Sequence, residues 1–100
     1  MIDLTKITGF DWNDGNARKS EKKHEVSMAE AEQFFFNDPL LLLEDAKHSQ
    51  REKRNHALGK TDDGRLLHIT FTLRHAGEKI RVISVRDMHK KERKIYEQTT

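Results

Sequence analysis

Downstream of Asp63-Gly64 the chain alternates apolar and polar side chains, and that pattern limits the fold more than any other feature. Over residues 65–74, Leu67, Ile69, Phe71 and Leu73 fall on one side. Leu66, His68, Thr70, Thr72 and Arg74 fall on the other. A period of two is the signature of a strand that turns one face to a core. Asp63-Gly64 before it signals a hairpin turn, and Gly77 after it marks another. Residues 79–86 then read as the next strand, with Arg81, Ile83 and Val85 opposite Ile80, Val82 and Ser84. Residues 53–60, with Ala57 and Leu58 as apolar members, and the apolar run 40–43 supply two more strands. The expectation is a four-stranded antiparallel meander.

Helices frame it. Ser27-Met28-Ala29-Glu30 is a capping box, in which the Ser hydroxyl accepts from the Glu30 amide and the carboxylate returns to the Ser27 amide. Val26 and Ala31 stand at the staple positions, and Met28, Ala31, Phe34 and Phe35 follow at helical spacing. Pro39 stops the helix by pushing residue 38 out of the α region. Phe34, Phe35 and Phe36 cannot all face one side, so one of them is exposed or sits at the helix end, where it is a candidate partner contact. A second helix, with a weaker pattern, is expected over residues 14–23 behind Asn13 or Asp14. Phe10 and Trp12 alternate as a short strand at the sheet edge, and residues 45–52 are a polar loop. Asp87 is placed to cap a closing helix with Met88, Ile95 and Tyr96 as its apolar stripe. The expected class is therefore α+β: two N-terminal helices, a four-stranded antiparallel sheet plus a short N-terminal edge strand, and a C-terminal helix.

One hundred residues, 34% of them apolar, make one domain with a small core, and a small core leaves room for a stabilising partner. The sequence has no Cys, which excludes disulfides and thiolate metal sites. No apolar run approaches the roughly 20 residues of a membrane span. The start, MIDLTKITGFDW, lacks a secretory h-region, so a cytoplasmic location is expected. The net charge of +2 hides an asymmetry. Residues 1–50 carry six Lys/Arg against ten Asp/Glu, and residues 51–100 carry thirteen against seven. The basic half suits phosphate. The six His lack the spacing of zinc enzymes, so neither a metal nor another cofactor is indicated.

The ordered motifs resemble one family. Phe10-Asp11-Trp12, Lys23-His24-x-Val26-Ser27-x-x-Glu30-Ala31 and Phe36-x-Asp38-Pro39 match the N-terminal half of BrnT toxins. His48-Ser49 with Glu52 and Arg54, Gly59, and Gly64-x-Leu66-Leu67 continue the match. Thr72-x-Arg74, the stretch Ile80-Arg81-Val82-Ile83-Ser84-Val85-Arg86, and Glu92-Arg93-x-x-Tyr96 complete it. Ser20, Glu25 and Val85 depart from the pattern. The resemblance implies a RelE-like ribonuclease toxin of a type II toxin–antitoxin pair that cuts RNA and arrests growth. It implies a BrnA-like antitoxin with a ribbon-helix-helix domain, through which alone the complex meets promoter DNA.

Cleavage of this kind must deprotonate the ribose 2′-OH and stabilise a pentacovalent phosphorane. Guanidinium groups serve the second need without a metal, because their forked donors match phosphate oxygens. Arg74, Arg81 and Arg86 on the last two strands are the expected phosphate-binding set, with His48 and Glu52 as candidate proton-transfer groups. His24, Arg65, His89, Lys90, Arg93 and Tyr96 are expected to touch RNA. For Tyr96, stacking on a base and packing in the core are both open. The alternative reading is a small basic module that binds nucleic acid or protein without cutting it. The one-sided Arg set favours cleavage.

Overall fold

The computed structural model describes residues 6–12, 26–44 and 54–99. In chain order these form β1 (Gly9–Phe10), α1 (Met28–Phe36), β2 (Leu41–Glu44), β3 (Asn55–Lys60), β4 (Leu66–Arg74), β5 (Lys79–Asp87) and α2 (Lys90–Thr99). The strands make one sheet in the order β1-β5-β4-β3-β2.

This corrects the expected architecture. The four-stranded antiparallel meander is present, but the sheet is five-stranded and mixed, because β1 runs parallel to β5. Thr8 donates its amide to the Glu78 carbonyl and Asp11 donates to the Ile80 carbonyl, both at 2.8 Å. The outer edge of β5 is thereby capped, which a bare edge strand would need in some other form. Among the described residues a single helix, not two, precedes β2. The helix expected over 14–23 lies outside the described residues.

Helix α1 starts as its sequence directs. Ser27 Oγ accepts from the Glu30 amide, and Glu30 Oε1 accepts from the Ser27 amide, each at 3.1 Å. The helix lays Ala31, Phe34 and Phe35 on one face of the sheet, against Ala57, Leu67, Ile69, Phe71, Ile80, Val82 and Val85. Phe36, the odd one of the three phenylalanines, is 74% exposed. A second, smaller cluster lies on the opposite face, where Met88 and Tyr96 pack with Leu58, Leu41 and Leu66.

One irregularity decides where the functional side chains point. In the β4–β5 register Thr70 pairs with Ser84, but Phe71 pairs with Val82, so Ile83 is an extra residue in β5. A β-bulge of this kind inverts the alternation beyond it. The expected grouping of Val85 with Arg81 and Ile83 therefore fails, and Ile80, Val82 and Val85 all enter the core. Arg81 and Arg86 are five residues apart and would otherwise take opposite faces. The bulge puts both on the face away from α1.

Candidate active site

Read across the sheet, the face away from α1 carries rows of paired residues. Leu58, His68 and Arg86 form one row; His56, Thr70 and Ser84 form the next. Thr72 with Arg81, then Arg74 with Lys79, follow. Helix α2 covers the Leu58 end of this face, and Glu92 reaches from it over the His68–Arg86 row.

At that end the groups interlock. Glu92 Oε1 and Oε2 accept from the two Nη atoms of Arg86 at 2.8 and 3.0 Å. Oε1 also accepts from the His89 amide at 2.8 Å, so Glu92 satisfies one of the open donors at the start of α2. Hydrogen bonding to Arg86 pulls the Glu92 carboxyl down to about 2. His68 is only 8% exposed, and its Nε2 lies 3.9 Å from Glu92 Oε2. Burial first, and then the Arg86 charge, hold the His68 imidazole down at about 4, so it is neutral near pH 7. Among the described residues no hydrogen-bond partner meets its Nδ1.

Next to His68 stands His56, with ring centroids 5.0 Å apart and planes tilted by 41°. His56 Nδ1 is 3.0 Å from Thr70 Oγ1. The His56 ring is half-buried, so it is open to solvent in part.

The other end is built around Asp11, which follows β1. Asp11 Oδ2 lies 3.1 Å from Arg81 Nη2 and 3.9 Å from His75 Nε2. Arg81 Nε is buried, and among the described residues it meets no hydrogen-bond partner. His75 and Ala76 take φ of 55° and 57°, and Gly77 takes 87°, in the turn that returns the chain from β4 to β5. The Arg81 and Arg86 rows are four β4 residues apart, or roughly 13 Å along the strand.

Arg74, Arg81 and Arg86 thus share one face in two groups, with Arg86 clamped by Glu92. Arg65 makes a two-point pair with Asp87 at 2.9 and 3.2 Å, so Asp87 closes β5 and is not the cap of α2. His89, Lys90 and Arg93 are exposed. Tyr96 is 2% exposed within the Leu58–Met88 cluster. Its hydroxyl donates to the Pro39 carbonyl at 2.6 Å, so of its two open roles core packing is the one observed. His24, His48 and Glu52 lie outside the described residues.

In sequence His56 and His68 are two of six histidines, any of which could shuttle a proton, and no motif singles either of them out. The available signal was the register: counting outward from the Asp63-Gly64 turn pairs His56 with Thr70. That places His56 beside His68, on the side of β4 that carries the Thr and Arg residues. Among the described residues no three His, Asp or Glu side chains gather closely enough to hold a metal ion. Nor is any described helix long and apolar enough to cross a membrane.

A comparison with curated proteins finds no match. A family model described as the ribonuclease toxin, BrnT, of type II toxin-antitoxin systems matches residues 12–92, which span β2 to β5 and most of the face just described. With the match covering four-fifths of its length, the chain belongs to the BrnT family of ribonuclease toxins of type II toxin–antitoxin systems.

Proposed function

We propose that this chain acts as one domain that cleaves cellular RNA without a metal ion, on the sheet face that carries His56, His68, Arg74, Arg81 and Arg86. The supporting observation is that a bulge in β5 turns Arg81 and Arg86 to one side, beside two imidazoles, in a chain of a ribonuclease toxin family. The 2′-oxygen attacks the adjacent phosphorus, the 5′-oxygen departs, and a 2′,3′-cyclic phosphate remains. Arg74 and Arg81 contact the phosphate directly. Arg86 contributes its field and anchors Glu92, which already occupies its forked donors. His89, Lys90 and Arg93, exposed at the start of α2, extend the basic track for the RNA strand. His24 as an RNA contact, and His48 and Glu52 as proton-transfer groups, remain part of the proposal.

In the cytoplasm such an activity arrests growth unless a protein partner blocks it, and a BrnA-like antitoxin with a ribbon-helix-helix domain is the proposed partner. Phe36, exposed beside Phe10 at a ring separation of 6.2 Å, is an apolar contact available to it. The purified protein is expected to degrade RNA in the presence of EDTA. An Arg74→Ala/Arg81→Ala/Arg86→Ala variant, with its circular dichroism unchanged, is expected to cleave about a hundredfold more slowly. Undiminished cleavage by that variant discards the arginine assignment, and loss of activity in EDTA discards metal independence.

A further inference from the structure

We propose that His56 is the proton-transfer residue of this ribonuclease, with its ring oriented by Thr70 and backed by the buried His68. The inference rests on the ribonuclease reading above and deepens it. It starts from exposure. Of the two imidazoles on the sheet face, His68 is too deeply buried to reach a nucleotide, whereas the His56 ring is half-buried in the middle of the sheet. His56 also stands between the two ends of the site. The Arg81 row lies one row beyond its own row, and the Arg86 row lies on the other side. A phosphodiester held at Arg81 would therefore set its ribose near the His56 ring.

Orientation comes from β4. Thr70 Oγ1, 3.0 Å from Nδ1, engages that nitrogen and assigns proton transfer to Nε2. Among the described residues, these groups face His56 from the elements packed against it. From β2 it faces Leu43, which carries no charge. From β4 it faces Thr70 and His68, and from β5 Ser84, with Arg86 one row away on one side and Arg81 one row away on the other; along its own chain Arg54 lies two residues before it. From α2 comes Glu92, whose charge is spent on Arg86. A protonated His68 at a ring distance of 5.0 Å would repel a second imidazolium. His68 is held neutral by its burial and by Arg86, so that repulsion is absent when His56 takes up a proton.

The step balances on the substrate alone. His56 Nε2 takes the proton of the 2′-OH as the 2′-oxygen bonds to phosphorus. The bond from phosphorus to the 5′-oxygen breaks. The imidazolium then gives the proton to the departing 5′-oxygen, directly or through one water, and the ring returns to its starting state. His68 and Thr70 are positioning residues in this scheme, since neither touches the reacting atoms.

The test uses the full chain on a short RNA, with cleavage rate, RNA affinity and a pH–rate profile as readouts. His56→Ala and the size-matched His56→Gln are expected to bind RNA as the parent does and to cleave it about a hundredfold or more slowly. Both are expected to lose the acid limb of the pH profile, and added imidazole should restore part of the His56→Ala rate. Thr70→Val is expected to lower kcat about tenfold with KM unchanged, because it releases the ring without removing it. If either His56 variant cleaves within about threefold of the parent with the acid limb intact, the assignment is overturned while the ribonuclease reading stands. A parent protein that leaves RNA uncut overturns both.

Discussion

Phe34→Ala should destabilise the protein by about 3–5 kcal/mol, a large share of the roughly 5–15 kcal/mol that holds a domain of this size together. Phe34 is fully buried and sits edge-on to Phe35 at 5.0 Å. Its ring also lies directly over Gly59 of β3. A Cβ built on Gly59 would come within 2.8 Å of Phe34 Cε2, closer than two carbons can pack. The glycine is thus a seat for the ring, and β3 needs it for clearance rather than for an unusual backbone angle. Gly59→Ala is accordingly expected to cost about 1–3 kcal/mol by overpacking. The two changes should not add: in the double variant the new methyl enters the space that the ring has left. Urea unfolding of the parent, both single variants and the double variant measures this directly. Strict additivity would mean that ring and glycine do not meet.

The same contact shows what sequence could and could not disclose. The capping box, the stop at Asp38-Pro39 and the alternation of β4 act through neighbours a few residues away, so they are legible in one dimension. Gly59 reads as an ordinary strand residue until Phe34 is placed over it. The β1–β5 pairing joins residues about seventy positions apart, and no local pattern encodes its parallel sense. The bulge is the sharper case. Arg81, Ile83 and Val85 alternate faultlessly in sequence, and only the competing demand to bury Ile80, Val82 and Val85 together breaks that rhythm. Its effect on the candidate site is to bring Arg86 to the face that Arg81 already occupies. Arg86 and Arg81 were visible as candidates because guanidinium chemistry is specific to phosphate. His56 and His68 were obscured, because imidazoles scattered over six positions acquire meaning only once the register pairs them.

Acid should unfold this protein in two overlapping steps, both traceable to the row beneath α2. The imidazole of His68 titrates at about 4 in the folded chain against 6.5 unfolded. As pH falls below 6.5 the unfolded chain binds a proton that the folded chain refuses, so stability declines down to about pH 4 and then levels. At about 1.4 kcal/mol per pH unit this amounts to about 3 kcal/mol. Glu92 acts lower down. Its folded carboxyl titrates at about 2 against 4.5 unfolded, so its contribution is complete above pH 4.5 and is lost as pH falls toward 2. Arg86 enters both shifts and the two groups also feel each other, so the combined loss is less than the sum, about 3–5 kcal/mol. Melting temperatures recorded from pH 7.5 to pH 3 should therefore hold down to about pH 6.5 and then fall continuously, with no plateau between the two intervals. His68→Leu should remove the decline between pH 6.5 and 5 while keeping the lower one. Glu92→Gln should lower stability at pH 7, since it strands the Arg86 charge, and should flatten the curve below pH 4.5. A His68→Leu protein whose melting temperature tracks the parent through the upper interval would show that some other group takes up the proton.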